Sequence, residues 1–116
     1  SKIFVEGKSV GGISPLVMRD RESLSSDGVF VVVVPVADNK PIKGKVEVIT
    51  RGFVYVKENK SLLGRSRDVV NKVVDKAVEK NWDWNGLKNK IENDVERFLY
   101  TETGRNPLVI VHSITI

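Results

Sequence analysis

Between residues 29 and 36 the chain reads Val-Phe-Val-Val-Val-Val-Pro-Val, a β-branched run that follows the turn pair Asp27-Gly28. Such a run predicts a strand apolar on both faces, with Pro35 marking its end. Asp38-Asn39-Lys40-Pro41 follows as a loop. Residues 45–50 alternate loosely, with Val46 and Val48 on one side and Glu47 and Ile49 on the other. This spacing predicts a hairpin with a half-covered second strand. Upstream, residues 1–18 carry Gly7, Gly11, Gly12, Ser14 and Pro15 among scattered apolar positions. They read as an extended arm holding one short strand, Ile3-Phe4-Val5.

Beyond Val56 the period changes. Leu62, Leu63, Val69, Val70, Val73, Val74, Ala77 and Val78 recur with polar pairs between them, a spacing of about four residues that a helix uses and a strand cannot. Asn59 is the expected N-cap. Leu87, Ile91, Val95, Phe98 and Leu99 then lie on one face of a second helix, capped by Asp83 or Asn85 and stopped by Gly104 and Pro107. Residues 108–116 are rich in Val, Ile and Thr and read as a final strand. The order β-β-α-α-β predicts an α+β domain with a small, mainly three-stranded sheet, two helices and a preceding extended arm. Two helices cover one side of such a sheet, so the second apolar face of the central strand needs another cover: the arm, a neighbouring domain or a second copy.

Composition narrows the classes. With 116 residues, 41% hydrophobic and 29% charged, the chain fits one globular domain, and no run approaches eighteen consecutive apolar residues. Cysteine is absent, which removes disulfides, thiolate metal sites and cysteine nucleophiles and is compatible with a cytoplasmic home. The chain opens Ser-Lys-Ile without a secretory pattern and looks like a piece of something longer. The net charge of +4 divides as +2 in residues 1–58 and +2 in residues 59–116. A spread excess permits phosphate contacts without demanding them.

Candidate chemistry is sparse. His112 is the only histidine, so the common catalytic dyads and His-based metal clusters lack partners. It shares strand parity with Leu108, Ile110 and Ile114 and reads as a partly buried residue at a sheet margin. Gly44-Lys45 resembles the end of a phosphate loop, but Asn39 and Val46 break the pattern. Asn59-Lys60-Ser61 reads as a helix start rather than a glycosylation site. Asp20, Glu22 and Asp27 lie close in sequence without an element to fix them. Arg19-Asp20-Arg21 offers either two guanidinium forks for phosphate or a local ion-pair network. In Arg51-Gly52-Phe53-Val54-Tyr55 the glycine permits a sharp backbone path, and Phe53 and Tyr55, on one side of an extended segment, either stack on RNA bases or pack under the first helix. Trp82 and Trp84 bracket the junction between the helices as core or interface anchors.

Four further groupings stand out: Met18-Arg19-Asp20-Arg21 followed by Leu24-Ser25-Ser26-Asp27-Gly28 and the valine-rich strand; Ile49-Thr50-Arg51-Gly52-Phe53-Val54-Tyr55-Val56; Trp84-Asn85-Gly86-Leu87-Lys88-Asn89; and Phe98-Leu99-Tyr100 with Thr103, Arg105 and Pro107. In this order and spacing they resemble the C-terminal domain of ribonuclease J, a nuclease of the metallo-β-lactamase, β-CASP group. The resemblance implies a parent hydrolase whose two metal ions, usually zinc, sit in an upstream His- and Asp-rich region and activate water against an RNA phosphodiester. It implies that this fragment is inactive alone, with residues 1–18 the linker from the catalytic region and residues 19–116 a domain that supports self-association and full activity. Glu6-Gly7 and Gly11-Gly12-Ile13-Ser14 replace the family's acidic glycine-rich stretch, and Asn106 and Val111 depart from its basic and proline positions. Such drift fits the less active second paralogue of some Gram-positive bacteria, which associates with the main enzyme.

Two functions follow as expectations. The first is an assembly domain joining copies of the enzyme or its paralogue, with Val32, Val34, Phe53, Tyr55, Trp82 and Trp84 as interface or structural residues. The second is an auxiliary RNA-binding module in which Arg19, Arg21, Arg51, Lys57 and Arg105 meet phosphates near the catalytic channel.

Overall fold

The computed structural model describes residues 27–53 and 55–116; the arm at residues 1–18, with its expected strand at Ile3-Phe4-Val5, lies outside them. The elements run β1 (Val29–Ala37), β2 (Lys40–Pro41), β3 (Glu47–Arg51), α1 (Tyr55–Glu58), α2 (Leu62–Lys80), α3 (Trp84–Thr103) and β4 (Leu108–Thr115). The α+β class and the order of the main elements are those the periodicity predicts.

The valine-rich β1 is the centre of the sheet. On one edge it pairs with β4, parallel, from Val29↔Leu108 to Val36↔Thr115. On the other it pairs antiparallel with β3 from Val29↔Arg51 to Val33↔Glu47, and then with β2 through Val36↔Pro41 and Ala37↔Lys40. The expected loop at residues 38–41 is therefore a tight hairpin. Asp38 (φ 53°) and Asn39 (φ 62°) both adopt left-handed backbone, which is the two-residue turn whose twist matches paired strands.

Pro35 does not end β1, which continues to Ala37. Its carbonyl accepts from the amide of Ile42 at 2.9 Å, on the β2–β3 edge, so its missing N–H faces that edge too. There β3 has already left the ladder at Val33 and β2 begins at Val36, so no strand amide is lost.

The helices differ from expectation at their starts. A single helical turn, α1, precedes α2, and the N-cap of α2 is Ser61 rather than Asn59. Asn59 instead accepts from the Ser61 hydroxyl through Oδ1 at 3.0 Å. Asp83 is the α3 N-cap, its carboxylate accepting from the Gly86 amide at 2.8 Å. Gly104 closes α3 in left-handed backbone, donating to Tyr100 O at 2.7 Å. Val78 alone of the expected α2 stripe is exposed.

The core lies between the two long helices and one face of the sheet. Leu62, Val70, Val74, Leu87, Ile91, Val95 and Leu99 meet Phe30, Val32, Val34, Val109 and Val111 there. Each large side chain so buried contributes roughly 1.5–3 kcal/mol of transfer free energy, which outweighs the weak helix propensity of the valines in α2.

Candidate functional site

The strand register separates two unlike faces. On the inner face Thr50, Phe30 and Val109 form one cross-strand row, and Val48, Val32 and Val111 the next. Phe30, Val32 and Val34 are completely buried there against the helices. On the outer face the rows are Arg51–Val29–Leu108, Ile49–Val31–Ile110 and Glu47–Val33–His112, with Pro35 beside Ile114. Val29, Val31, Val33, Leu108, Ile110 and His112 are half-buried, and Ile49 and Ile114 are each 48% exposed. The outer face is thus an apolar patch with Glu47 and Arg51 along one margin.

Val32 and Val34, named from sequence as interface or structural candidates, are core residues of the inner face. The positions of β1 that point outward are Val29, Val31 and Val33. A sequence signal for this exists in β3: Ile49 sits two residues from both Glu47 and Arg51, which places it on the solvent side. Only the register carries that assignment to Val31.

A second locus gathers three segments distant in sequence. The Asp27 carboxylate accepts from the amide of Asn106 at 2.9 Å, and Gly28 O accepts from Leu108 N at 2.9 Å. Arg105 Nε donates to the hydroxyl of Tyr55 at 2.9 Å, and its guanidinium carbon lies 5.5 Å from the centre of that ring. The hydrogen bond to Tyr55 raises the Arg105 pKa above the ordinary arginine value, and the nearby Asp27 adds to the effect. Phe53 is buried, and its ring centre is 5.9 Å from that of the half-buried Tyr55 at an interplanar angle of 51°.

Phe53 and Tyr55 therefore do not lie on an extended segment. Phe53 belongs to the core beneath the helices, and Tyr55 opens α1 with Arg105 against its ring. Arg51 stands exposed on the outer sheet margin and donates to Thr50 O at 3.4 Å, and Lys57 is exposed in α1. Arg19 and Arg21 lie outside the described residues.

The third locus is the helix junction. Asn81 takes left-handed backbone at the end of α2, and the Trp82 amide donates to Ala77 O at 3.0 Å. This bond turns the chain back over the last turn of α2. Trp82 and Trp84 are both half-buried against the core. Between them Asp83 binds the start of α3, which fixes both indoles relative to the helix pair.

Among the described residues no three His, Asp or Glu side chains are grouped so as to hold a metal ion. Among them, too, no helix is long and apolar enough to cross a membrane.

The family model for the ribonuclease J C-terminal domain matches residues 16–116. The chain is 38% identical over 112 residues to Ribonuclease J 2 of Streptococcus pyogenes, covering 95% of this chain and 20% of that protein. It is 38% identical over 110 residues to Ribonuclease J2 of Bacillus subtilis and 34% identical over 110 residues to Ribonuclease J 2 of Staphylococcus epidermidis, each covering 93% of this chain and 20% of the relative. The chain spans about a fifth of the length of these relatives. With a family model covering residues 16–116 and an α+β architecture of the expected order, the chain belongs to the ribonuclease J C-terminal domain family.

Proposed function

We propose that this chain is the assembly domain of a ribonuclease J type enzyme, holding a second copy or a paralogue through the outer face of its sheet. The parent enzyme, in this reading, cleaves RNA with a metal pair held elsewhere, and this domain contributes association rather than a catalytic group. The observation that carries the reading is the row Ile49–Val31–Ile110, an apolar strip on the face opposite the two long helices. A strip of this kind left in water is unfavourable at roughly 25 cal/mol per Å² of apolar surface, and contact with a like strip removes that surface from water. The Glu47 and Arg51 margin would supply opposite charges at the rim, where ion pairs set register more than affinity.

Sedimentation equilibrium of the chain at low and moderate salt tests this. A dimer that persists in moderate salt and dissociates on Ile49→Lys or Ile110→Lys is expected, because an apolar interface resists screening. A strict monomer at every concentration would overturn the reading.

A further inference from the structure

Trp82 stands between two depressions of different chemistry. On one side, an open groove of about 370 Å³ follows the seam of α2 and α3. Val69 and Val73 form its apolar lining, and Lys72, Lys76 and Lys90 line it as well. Among the described residues Asp94 is the one carboxylate in the lining, and it is paired with Lys90 at 3.2 Å and Arg97 at 3.4 Å. Lys72 and Lys76 make no ion pair with any described residue. They are one helical turn apart, a rise of about 6 Å, which is of the order of the separation of successive phosphates in an extended strand.

On the other side of the indole is a recess of about 350 Å³. Trp84 and Leu87 give it apolar walls, and Asn39, Ser113 and Thr115 bring hydrogen-bonding groups to its lining. The carboxylate of Asp83 also lines it but is engaged with the Gly86 amide. Two lysines without an ion pair among the described residues, Lys72 and Lys76, with the paired Lys90 beside them, therefore adjoin a recess lined by two tryptophans and polar side chains, and Trp82 is common to both.

A single nucleic-acid strand repeats that arrangement: a phosphate diester, then a flat base with polar edges. Lysine ammoniums suit phosphates as point charges without requiring a fixed geometry, and indole faces accept any base by stacking. A duplex presents its phosphates but keeps its base faces stacked. We propose that the α2–α3 groove and the tryptophan recess together bind single-stranded nucleic acid, with phosphates along Lys72, Lys76 and Lys90 and a base against Trp82 or Trp84. The site is separate from the outer sheet face and does not rest on the assembly reading.

The test uses the 116-residue chain with fluorescein-labelled oligo(U), oligo(dT) and duplex RNA of equal length, read by anisotropy over a salt series. Binding of the single strands in preference to the duplex is expected, with a log–log salt slope of about −2 for three phosphate contacts. Preference for oligo(U) over oligo(dT) would assign the strand as RNA, and equal affinity would assign it as any single strand; both outcomes support the site. The variant Lys72→Gln/Lys76→Gln, in exposed positions that leave the fold intact, should lower affinity on the order of tenfold at low salt and flatten the slope by about 1.4. Trp82→Leu should lower it roughly fivefold or more.

Lys43→Gln/Lys45→Gln, at exposed positions between β2 and β3, serves as the control for diffuse charge. An equal loss in that control, no binding at low salt, or a duplex bound as well as a single strand would each overturn the proposal. Sedimentation of the same variants reads assembly independently, so failure of one idea leaves the other measurable.

Discussion

Gly28 and Gly52 meet backbone to backbone, and the contact leaves no room for a side chain at the first of them. A Cβ added to Gly28 would overlap the carbonyl carbon of Gly52 and lie 2.5 Å from the Arg51 oxygen. A Cβ on Gly52 would meet Gly28 Cα at 3.4 Å, an ordinary contact. Both residues have positive φ, 86° and 71°. Gly28→Ala should therefore cost both strained backbone and displacement of main chain, about 2–4 kcal/mol, whereas Gly52→Ala should cost about 1–2 kcal/mol from the backbone alone. Urea unfolding of the two variants checks the order, and equal losses would show that the close approach is not maintained in solution.

The Asp83 cap gives a second expectation. Its carboxylate satisfies one of the free amides at the start of α3 and holds Trp82 and Trp84 at the junction. Asp83→Ala should lower stability by about 1 kcal/mol, and Asp83→Asn, which keeps an acceptor, by much less. Thermal unfolding of both variants separates the cap bond from the charge.

Glu96 carries a sign that depends on pH. Burial of part of its side chain raises its pKa, and Glu92 one turn earlier adds repulsion. A carboxyl with a raised folded pKa is at no disadvantage while protonated, below the ordinary glutamate range, and destabilises the fold as pH rises through it. Glu96 is exposed at the surface, so the effect is small. Glu96→Gln should stabilise the domain by a few tenths of a kcal/mol at neutral pH, with the gain vanishing in acid. Denaturation midpoints measured over that pH range check it, and a gain that persisted in acid would contradict the electrostatic origin.

Substitutions on the two sheet faces should separate folding from association. Val32→Ala, at a completely buried inner position, should cost about 1–3 kcal/mol through lost burial and the cavity left behind. Ile49→Lys, on the outer face, should leave the unfolding midpoint of the dilute monomer within about 0.5 kcal/mol of the parent. Paired unfolding and sedimentation experiments give the two readouts. Loss of stability at Ile49 as large as at Val32 would mean that the outer face is part of the fold.

The elements themselves were written in local chemistry. The spacing of Leu87, Ile91, Val95 and Leu99 can be satisfied only by a helix, and Asp83 and Gly104 bound it with a side-chain acceptor and a left-handed stop. The valine run of β1 is likewise a strand on its own terms. Local signals failed where two conformations are nearly equal in cost. Asp38-Asn39 suits a loose loop or a tight hairpin, and pairing of Val36 with Pro41 selects the hairpin. Pro35 reads as a strand end because a lost amide usually costs a ladder bond, and only the gap between β3 and β2 makes that amide unnecessary.

What the sequence determined by itself, then, was which of the long segments are helix and which are strand, their order in an α+β domain, and the resemblance that names the family. Tertiary structure decided which face each side chain serves. In a strand apolar at every position, parity carries no information, and it is the packing of α2 and α3 on Phe30, Val32 and Val34 that turns Val29, Val31 and Val33 outward. Nor could spacing bring Lys72 and Lys76 of α2 beside Lys90 of α3 and Trp82, or Tyr55 beneath Arg105. Those meetings depend on chain segments far apart in sequence, and only burial of a shared core draws them together.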